Sequence, residues 1–152
     1  MVAMEAPRAA IGGEAVPIID AERYPIHRPA SPAYAHLVET CRHELATAHA
    51  VNLQGFVPEA VRVAMVGELA PLSALALRNR EQSGYHLAHL TPDQLDASLL
   101  VERLFRWPPL AQFIGAVTGW REMHTMADPF QAHNVICAAP LPSPPSPRPS
   151  LL

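Results

Sequence analysis

His124 and Asp128 are the residues of this chain whose types and spacing come closest to metal chemistry. Non-haem Fe(II) sites use two histidines and one carboxylate, and the first two ligands commonly lie two residues apart on a strand. Four positions separate His124 from Asp128, which is about 13 Å of extended strand and too far for one ion unless the chain turns. The Asp128-Pro129 turn leaves ligation open, but the spacing favours a pocket-facing or turn-capping role.

Other histidines lack the spacing of metal ligands. His36 and His43 could share a helix face, but they lie seven residues apart, and zinc-binding helices place two histidines at i and i+4 with a glutamate between them. We therefore interpret them as surface residues. His86 and His89 have no cysteine or carboxylate at ligand spacing. These patterns predict no metal site.

Nucleophilic and phosphate-binding motifs are absent from the sequence. The chain has no Gly-x-Ser-x-Gly elbow, and its seven glycines form neither a phosphate loop nor a dinucleotide fingerprint. Residues 78–87 are polar and are predicted to form a loop. They include Arg78, Arg80 and Glu81, which we interpret as part of a solvated loop rather than a clamp for a carboxylate. Gly115 and Gly119 are predicted to permit close packing and a helix stop.

The composition predicts one cytoplasmic domain that binds neither nucleic acid nor membranes. The 152 residues are 49% hydrophobic, and the net charge is −3 with scattered arginines as the basic residues. Two cysteines, Cys41 and Cys137, can form at most one disulfide. No apolar run approaches the roughly 20 residues of a membrane span, and the N-terminus does not resemble a secretory signal.

Capping residues and apolar spacing predict four helices. A hydroxyl N-cap followed by proline is a typical helix start, a proline bends or ends a helix, and glycine is a typical stop. The helices are predicted from Ser31-Pro32 to Ala48, from Pro58-Glu59 to a bend at Pro71, from Thr91-Pro92 to Phe105, and from Pro108-Pro109 to Gly119.

Two helices carry apolar stripes that predict core positions. On the first helix these are Tyr34, Leu37, Val38, Cys41 and Leu45, and on the fourth they are Leu110, Phe113, Ile114 and Val117.

The strands are predicted to be few and late in the chain. Alternation predicts a short strand at 51–53, and two further strands at 120–126 and 132–136. Residues 1–18 are predicted to be a flexible arm, residues 19–136 the domain, and residues 137–152 a disordered Pro/Ser-rich tail. Six of the seventeen prolines lie in the last thirteen residues.

Three segments resemble a bacterial group of Fe(II)/2-oxoglutarate-dependent oxygenases, related to those that hydroxylate or halogenate free amino acids. They are "RYPIHRPASPAYAHLVETCRHELATAHAVNLQGFVPEA", "RWPPLAQFIGAVTG" and "MHTMADPFQAHNV", within residues 20–135. The resemblance is carried by the order and spacing of these pieces together.

The resemblance implies an α+β fold, in which a helical N-terminal layer packs on the first strands of an incomplete double-stranded β-helix, or jelly roll. It also implies Fe(II) and 2-oxoglutarate as cofactors and a small metabolite, such as an amino acid, as substrate. In the family a His-x-Asp or His-x-Gly iron motif follows shortly after the segment that matches Asn134-Val135. Here the sequence continues as "ICAAPLPSPPSPRPSLL", in which alternate prolines are incompatible with a central strand.

We therefore expect a truncated homologue that does not bind these cofactors and is inactive alone, and a shifted reading frame would account for its tail. By position, four residues are expected to line a remnant substrate pocket: Arg80, His124, Asp128 and Asn134. The alternative is a small helix-rich interaction protein without catalytic activity. Both the truncated homologue and the interaction protein could self-associate through an exposed strand edge.

Overall fold

The computed structural model describes residues 8–11, 14–82, 85–120, 123 and 135–140, and this part of the chain is helix-rich. Its helices are α1 (Pro32–Ala48), α2 (Glu59–Leu69), α3 (Leu100–Phe105) and α4 (Pro108–Thr118), with 3-10 turns at Ala70–Leu75 and Pro92–Gln94. Its strands are β1 (Arg8–Ile11), β2 (Glu14–Pro17), β3 (Leu77–Gln82), β4 (Tyr85–Leu90) and β5 (Val135–Pro140).

The predicted bounds of α1 are confirmed, and local bonds explain both ends. The Ser31 hydroxyl accepts a hydrogen bond from the Tyr34 amide at 3.1 Å, which satisfies a donor that the helix itself leaves unpaired. At the other end His49 takes the left-handed conformation with φ 57°. Its amide donates to the Leu45 carbonyl at 3.0 Å.

The predicted start and end of α2 are also confirmed. The helix follows Pro58 and stops at Leu69, and Pro71 lies in the 3-10 turn that comes next. Proline has no amide hydrogen to donate, and its ring clashes with the preceding helical turn. The α-helical hydrogen-bond pattern therefore cannot continue past this point.

The prediction of the third helix is wrong in its first half. Only Pro92–Gln94 form a 3-10 turn after Thr91, and α3 begins at Leu100. The reason is local competition for backbone groups, since the Asp96 carboxylate accepts from the Ser98 amide at 2.8 Å and so favours a turn over a helix. Glu68 of α2 then accepts from the Leu100 amide at 2.8 Å, which fixes the start of α3.

The fourth helix is confirmed at both ends. It begins with the prolines after Trp107, and Gly119 ends it in the left-handed conformation with φ 80°. The Gly119 amide donates to the Gly115 carbonyl at 2.9 Å. Arg42 of α1 reaches across to the same end, where its Nε donates to the Ala116 carbonyl at 2.9 Å.

Two predictions about strands and loops are wrong. Residues 51–53 do not form a strand. The loop that contains them is hydrogen-bonded to the segment before α1 instead of to another strand. In this contact the Asp20 amide donates to the Phe56 carbonyl at 2.9 Å. Of the predicted polar loop at 78–87, residues 78–82 lie in β3 and residues 85–87 lie in β4. The two strands pair antiparallel with an irregularity between Arg78 and Glu81. They flank Ser83-Gly84, a dipeptide typical of turns.

The two late strands fall largely outside the described residues. Of the strand predicted at 120–126, only residues 120 and 123 are described, so that prediction is untested. Of the strand predicted at 132–136, the last two residues are described, and they begin β5.

The chain ends also differ from the predicted boundaries. β1 pairs antiparallel with β2 inside the predicted arm, and Ile18 is fully buried, so the packed core begins one residue earlier than the predicted domain. At the other end β5 pairs with β4 as far as Pro140, inside the predicted tail. No proline precedes Pro140 in this strand, and strand ends at a sheet edge tolerate proline.

The helical core consists of two clusters that meet at adjacent residues, Ile18 and Ile19. The second cluster is small and holds Ile18, Val61 and Leu100. Leu104 of α3 packs against both clusters. The first and larger cluster contains Ile19, Tyr24, Ile26, Val38, Cys41, Trp107 and Phe113.

The jelly-roll start that the resemblance implies is not confirmed. Within the described residues, the strands form one antiparallel pair and one three-stranded antiparallel group in the order β3-β4-β5. These pieces are compatible with many helix-rich folds. None of the described helices combines the length and the apolar character that a membrane-spanning segment needs.

Gly115 is a position where tertiary packing excludes a side chain. A Cβ atom there would lie 2.9 Å from the Trp120 carbonyl oxygen and 3.2 Å from the Met123 Cγ. We expect Gly115→Ala to lower the free energy of unfolding by about 1–2 kcal/mol, because the overlap outweighs the gain of about 1 kcal/mol in helix propensity.

Gly67→Ala in α2 is the matched control for this substitution. A Cβ atom at Gly67 would meet nothing within 4 Å, so we expect alanine to raise the stability by about 0.5–1 kcal/mol. Urea denaturation of both variants measures the difference. Equal stabilities would contradict the close approach of residue 120 to α4.

Candidate functional site

Only one of the four predicted pocket residues, Arg80, lies in the part of the chain that the structure describes. Arg80 lies in β3, in a strand rather than the predicted loop. His124, Asp128 and Asn134 lie outside the described residues. The prediction that these residues line a substrate pocket is therefore untested.

No metal centre is found among the described residues. In that part of the chain, no three histidine, cysteine or carboxylate side chains are grouped so that they could hold an ion. His36 and His43 are both exposed on α1, as predicted for surface residues. Cys41 is a free thiol buried in the larger core cluster, and burial raises its pKa, which makes it a packing residue rather than a nucleophile.

An apolar groove lies between the end of α1, the loop after it and α4. Its volume is about 260 Å³. Phe113 forms its buried floor, whereas Ile114 lies at its rim and is 38% exposed. The residues that line the groove are Leu45, Val51, Leu53, Phe56, Leu110, Phe113, Ile114, Val117 and Thr118.

The loop wall of the groove is held in place by hydrogen bonds although it has no regular secondary structure. The Tyr24 hydroxyl donates to the Gln54 carbonyl at 2.7 Å, and the Phe56 amide donates to the Leu53 carbonyl at 3.1 Å. The Tyr24 and Phe56 rings also meet edge to face, with centroids 5.6 Å apart. Since Tyr24 belongs to the larger core cluster, the loop wall of the groove is attached to that cluster.

The groove has no group that could transfer a proton or hold an ion. Eight of its nine lining side chains are apolar, and the ninth, Thr118, donates its hydroxyl to the Ile114 carbonyl at 2.9 Å. Arg42, the α1 cation that reaches α4, donates to the Ala116 carbonyl and does not line the groove. The arrangement can bind an apolar group but offers no acid–base chemistry.

The sequence identified one wall of this groove and missed the other. Leu45, Leu110, Phe113, Ile114 and Val117 all lie on the predicted apolar stripes. In the loop wall, Val51 and Leu53 are predicted to lie in a strand, and the sequence predicts no role for Phe56. Four apolar residues in seven positions, ending at Val57, could have indicated a loop that covers the core.

His27 is the other unusual side chain near this core. Its ring stacks on Trp107, with centroids 6.4 Å apart and 28° between the planes. Arg28 donates through Nε to His27 Nε2 at 3.1 Å, so Nε2 accepts and Nδ1 carries the proton of the neutral ring. Nδ1 is buried and has no partner among the described residues. The imidazole therefore packs as a neutral ring.

The environment of His27 predicts a pH dependence of stability. Burial, and secondly the charge of Arg28, lower its pKa below the ordinary value of 6.5. The unfolded chain therefore takes up a proton at a higher pH than the folded chain does. We expect full stability above pH 6.5 and a progressive loss as the pH falls from 6.5 through the lowered pKa.

Urea denaturation at several pH values between 5 and 8 measures this loss. We expect His27→Gln to flatten the pH profile, whereas His36→Gln, at an exposed position on α1, should keep it. An unchanged slope in His27→Gln would contradict the assignment to this ring.

A buried carboxylate at α3 is structural. Glu102 is fully buried, and Arg106, one turn later, donates through Nε to Glu102 Oε2 at 2.8 Å. The guanidinium itself is more than half exposed. Glu102 thus has a hydrogen-bond partner one turn along the chain, and we interpret it as a structural residue rather than a ligand-binding one.

Comparison with known proteins leaves the family open. A scan against protein-family models and searches of curated proteins and solved structures each gave no significant match to this chain. The oxygenase resemblance therefore stays a prediction from the sequence.

Proposed function

We propose that this chain is the helical N-terminal part of an Fe(II)/2-oxoglutarate oxygenase-like domain, and that it is catalytically inactive by itself. The proposed parent activity is oxidation of a small metabolite such as an amino acid, in the cytoplasm. Fe(II) and 2-oxoglutarate belong to that parent activity, and this chain alone is not expected to hold either.

The observation that supports the proposal is the position of the most specific matching segment. Trp107 and Pro109 are buried, and Leu110 packs against the larger core cluster at the start of α4. The segment that resembles the family thus packs in a cluster shared with α1, which supports the proposed helical layer. The strand that follows this segment, β5, pairs antiparallel with β4, which precedes the segment. This pairing is also compatible with the start of a sheet.

The proposed inactivity depends on the residues after Val135. The iron motif of the family would follow there, whereas this chain continues with Ile136-Cys137-Ala138-Ala139-Pro140. None of these side chains is a histidine or a carboxylate, and a 2-His-1-carboxylate site needs both.

Succinate formation tests the proposed inactivity. The purified full chain is incubated with Fe(II), ascorbate, 2-oxoglutarate and O₂, with a metal-free reaction as the control. We expect equal succinate in both reactions. Iron-dependent succinate would contradict the proposed inactivity.

The descent of the chain is tested separately by the DNA that follows codon 135, translated in all three frames. We expect a His-x-Asp or His-x-Gly motif in one of the alternative frames. If every frame lacks it, the oxygenase assignment is wrong, whatever the succinate assay shows.

A second candidate, an interaction protein, is favoured by exposed apolar residues on α2. Val63 and Val66 are 57% and 55% exposed, and one turn of helix separates them. Size-exclusion chromatography with light scattering tests this role. We expect concentration-dependent self-association that the double substitution Val63→Lys and Val66→Lys abolishes. A wild-type monomer at all concentrations would exclude self-association.

A further inference from the structure

We propose that the stack of His27 on Trp107 is a pH-sensitive switch, in which the neutral imidazole covers the indole and the protonated imidazole leaves it for solvent while the helices stay folded. The switch is a local movement of one side chain, so it goes beyond the general loss of stability in acid. It does not depend on the proposed oxygenase descent.

The contacts of His27 suit the neutral ring and not the charged one. Nε2 accepts from Arg28 Nε at 3.1 Å, and a proton taken from solvent by Nε2 would turn this acceptor into a donor. Two donors on positively charged groups would then face each other. Nδ1 already carries its hydrogen in a buried position with no partner among the described residues. Protonation therefore removes the bond to Arg28 and replaces it with repulsion.

The surroundings of the ring also disfavour its charge. Burial first, and then the charge of Arg28, lower the pKa of His27. From the start of α4 the ring meets the uncharged indole of Trp107, and Arg106, the preceding residue, is bonded to Glu102. An indole face attracts a cation, but the charged ring is disfavoured while it stays buried and is hydrated once it leaves.

The ring can leave without unfolding the segment that carries it. The neighbouring Ile26 is 1% exposed, and the Tyr24 hydroxyl donates to the Gln54 carbonyl at 2.7 Å. Neither contact uses the imidazole. His27 itself is only partly buried, so rotation about its side-chain bonds can bring the ring into water. Trp107, which is 6% exposed with the stack in place, then presents one face of its indole to solvent.

A protein with one tryptophan makes this movement measurable. The chain has two tryptophans, and Trp120 is 69% exposed, so Trp120→Phe leaves Trp107 as the only one at little cost to the fold. Acrylamide quenching of its fluorescence lifetime is measured between pH 4 and 8. Circular dichroism records folding, and NMR records the protonation of His27. The bimolecular quenching rate constant reports access to the indole, separately from any direct quenching by a charged imidazole.

We expect the quenching rate constant of Trp107 to rise as the pH falls, with a midpoint below 6.5 and an unchanged helix signal. The sign follows from the lowered pKa of His27, because the ring is neutral and stacked at pH 6.5 and above and becomes charged only at lower pH. A constant that stays flat while His27 takes up its proton would overturn the proposal. A rise that coincides with loss of the helix signal would also overturn it, since protonation would then act only through unfolding.

Variants of His27 in the same background give the matched test. His27→Phe keeps a neutral aromatic ring that cannot titrate, so Trp107 should stay protected at every pH. His27→Gln also cannot titrate and should make the quenching rate constant independent of pH, which keeps the test valid if His27→Phe does not fold. His36→Gln removes an exposed histidine of α1 and should leave the rise unchanged. A rise in acid that persists in either folded His27 variant would refute the switch.

Discussion

Replacing Trp107 by alanine is expected to lower the free energy of unfolding by about 3–5 kcal/mol, the largest effect that the structure predicts. Trp107 is only 6% exposed and belongs to the larger core cluster. Its indole also stacks on His27. Truncation therefore removes apolar contacts on several sides and leaves a cavity at the start of α4.

Trp120→Ala is the control, because the second of the two tryptophans is 69% exposed. We expect it to change stability by less than about 0.5 kcal/mol. Urea denaturation followed by circular dichroism measures both variants without depending on tryptophan fluorescence. Similar losses in the two variants would contradict the position of Trp107 in the core.

The Trp107 variant also reports on the neighbouring histidine. Burial is the main cause of the lowered pKa of His27, and the indole supplies part of that burial. We expect the pKa of His27 to rise towards 6.5 in folded Trp107→Ala, measured by NMR titration. This shift distinguishes loss of the stack from a general loss of stability.

Replacing Leu100 by alanine is expected to lower the free energy of unfolding by about 2–5 kcal/mol. Leu100 is 3% exposed and packs with Ile18 and Val61 in the smaller cluster. Its amide also bonds Glu68 of α2, so the site joins α2, α3 and the segment before α1. A buried leucine with neighbours from three segments has little freedom to relax after truncation.

Leu75→Ala is the matched control, since Leu75 is 55% exposed in the 3-10 turn after α2. We expect a change below about 0.5 kcal/mol. Both variants are measured by urea denaturation with circular dichroism and NMR as probes. A single transition seen by both probes would show that the two clusters unfold together, as their shared contact with Leu104 predicts.

If Leu100→Ala lowers the free energy of unfolding as little as Leu75→Ala does, the packing of Leu100 in the smaller cluster is contradicted. Separate transitions for the two clusters would instead limit the cooperative unit to the larger one. The second outcome would weaken the view that these helices form one layer, on which the proposed oxygenase descent depends.

The sequence predicted one wall of the candidate site and missed the other. The apolar stripe on α4 predicted Phe113 and Val117, which face the groove. The facing wall, with Val51 and Leu53, depends on a bond between residues thirty positions apart, from Tyr24 to Gln54. No local pattern encodes that bond.

The sequence by itself determined the ends of α1, α2 and α4. Ser31, Pro58 and Gly119 act through groups within one helical turn, so their effects can be derived from residue type and spacing. Tertiary structure alone decided the β4–β5 pairing, the burial of Ile18 and the groove. Each of these needs partners from distant parts of the chain, and burial and strand pairing are properties of such partners rather than of a local sequence.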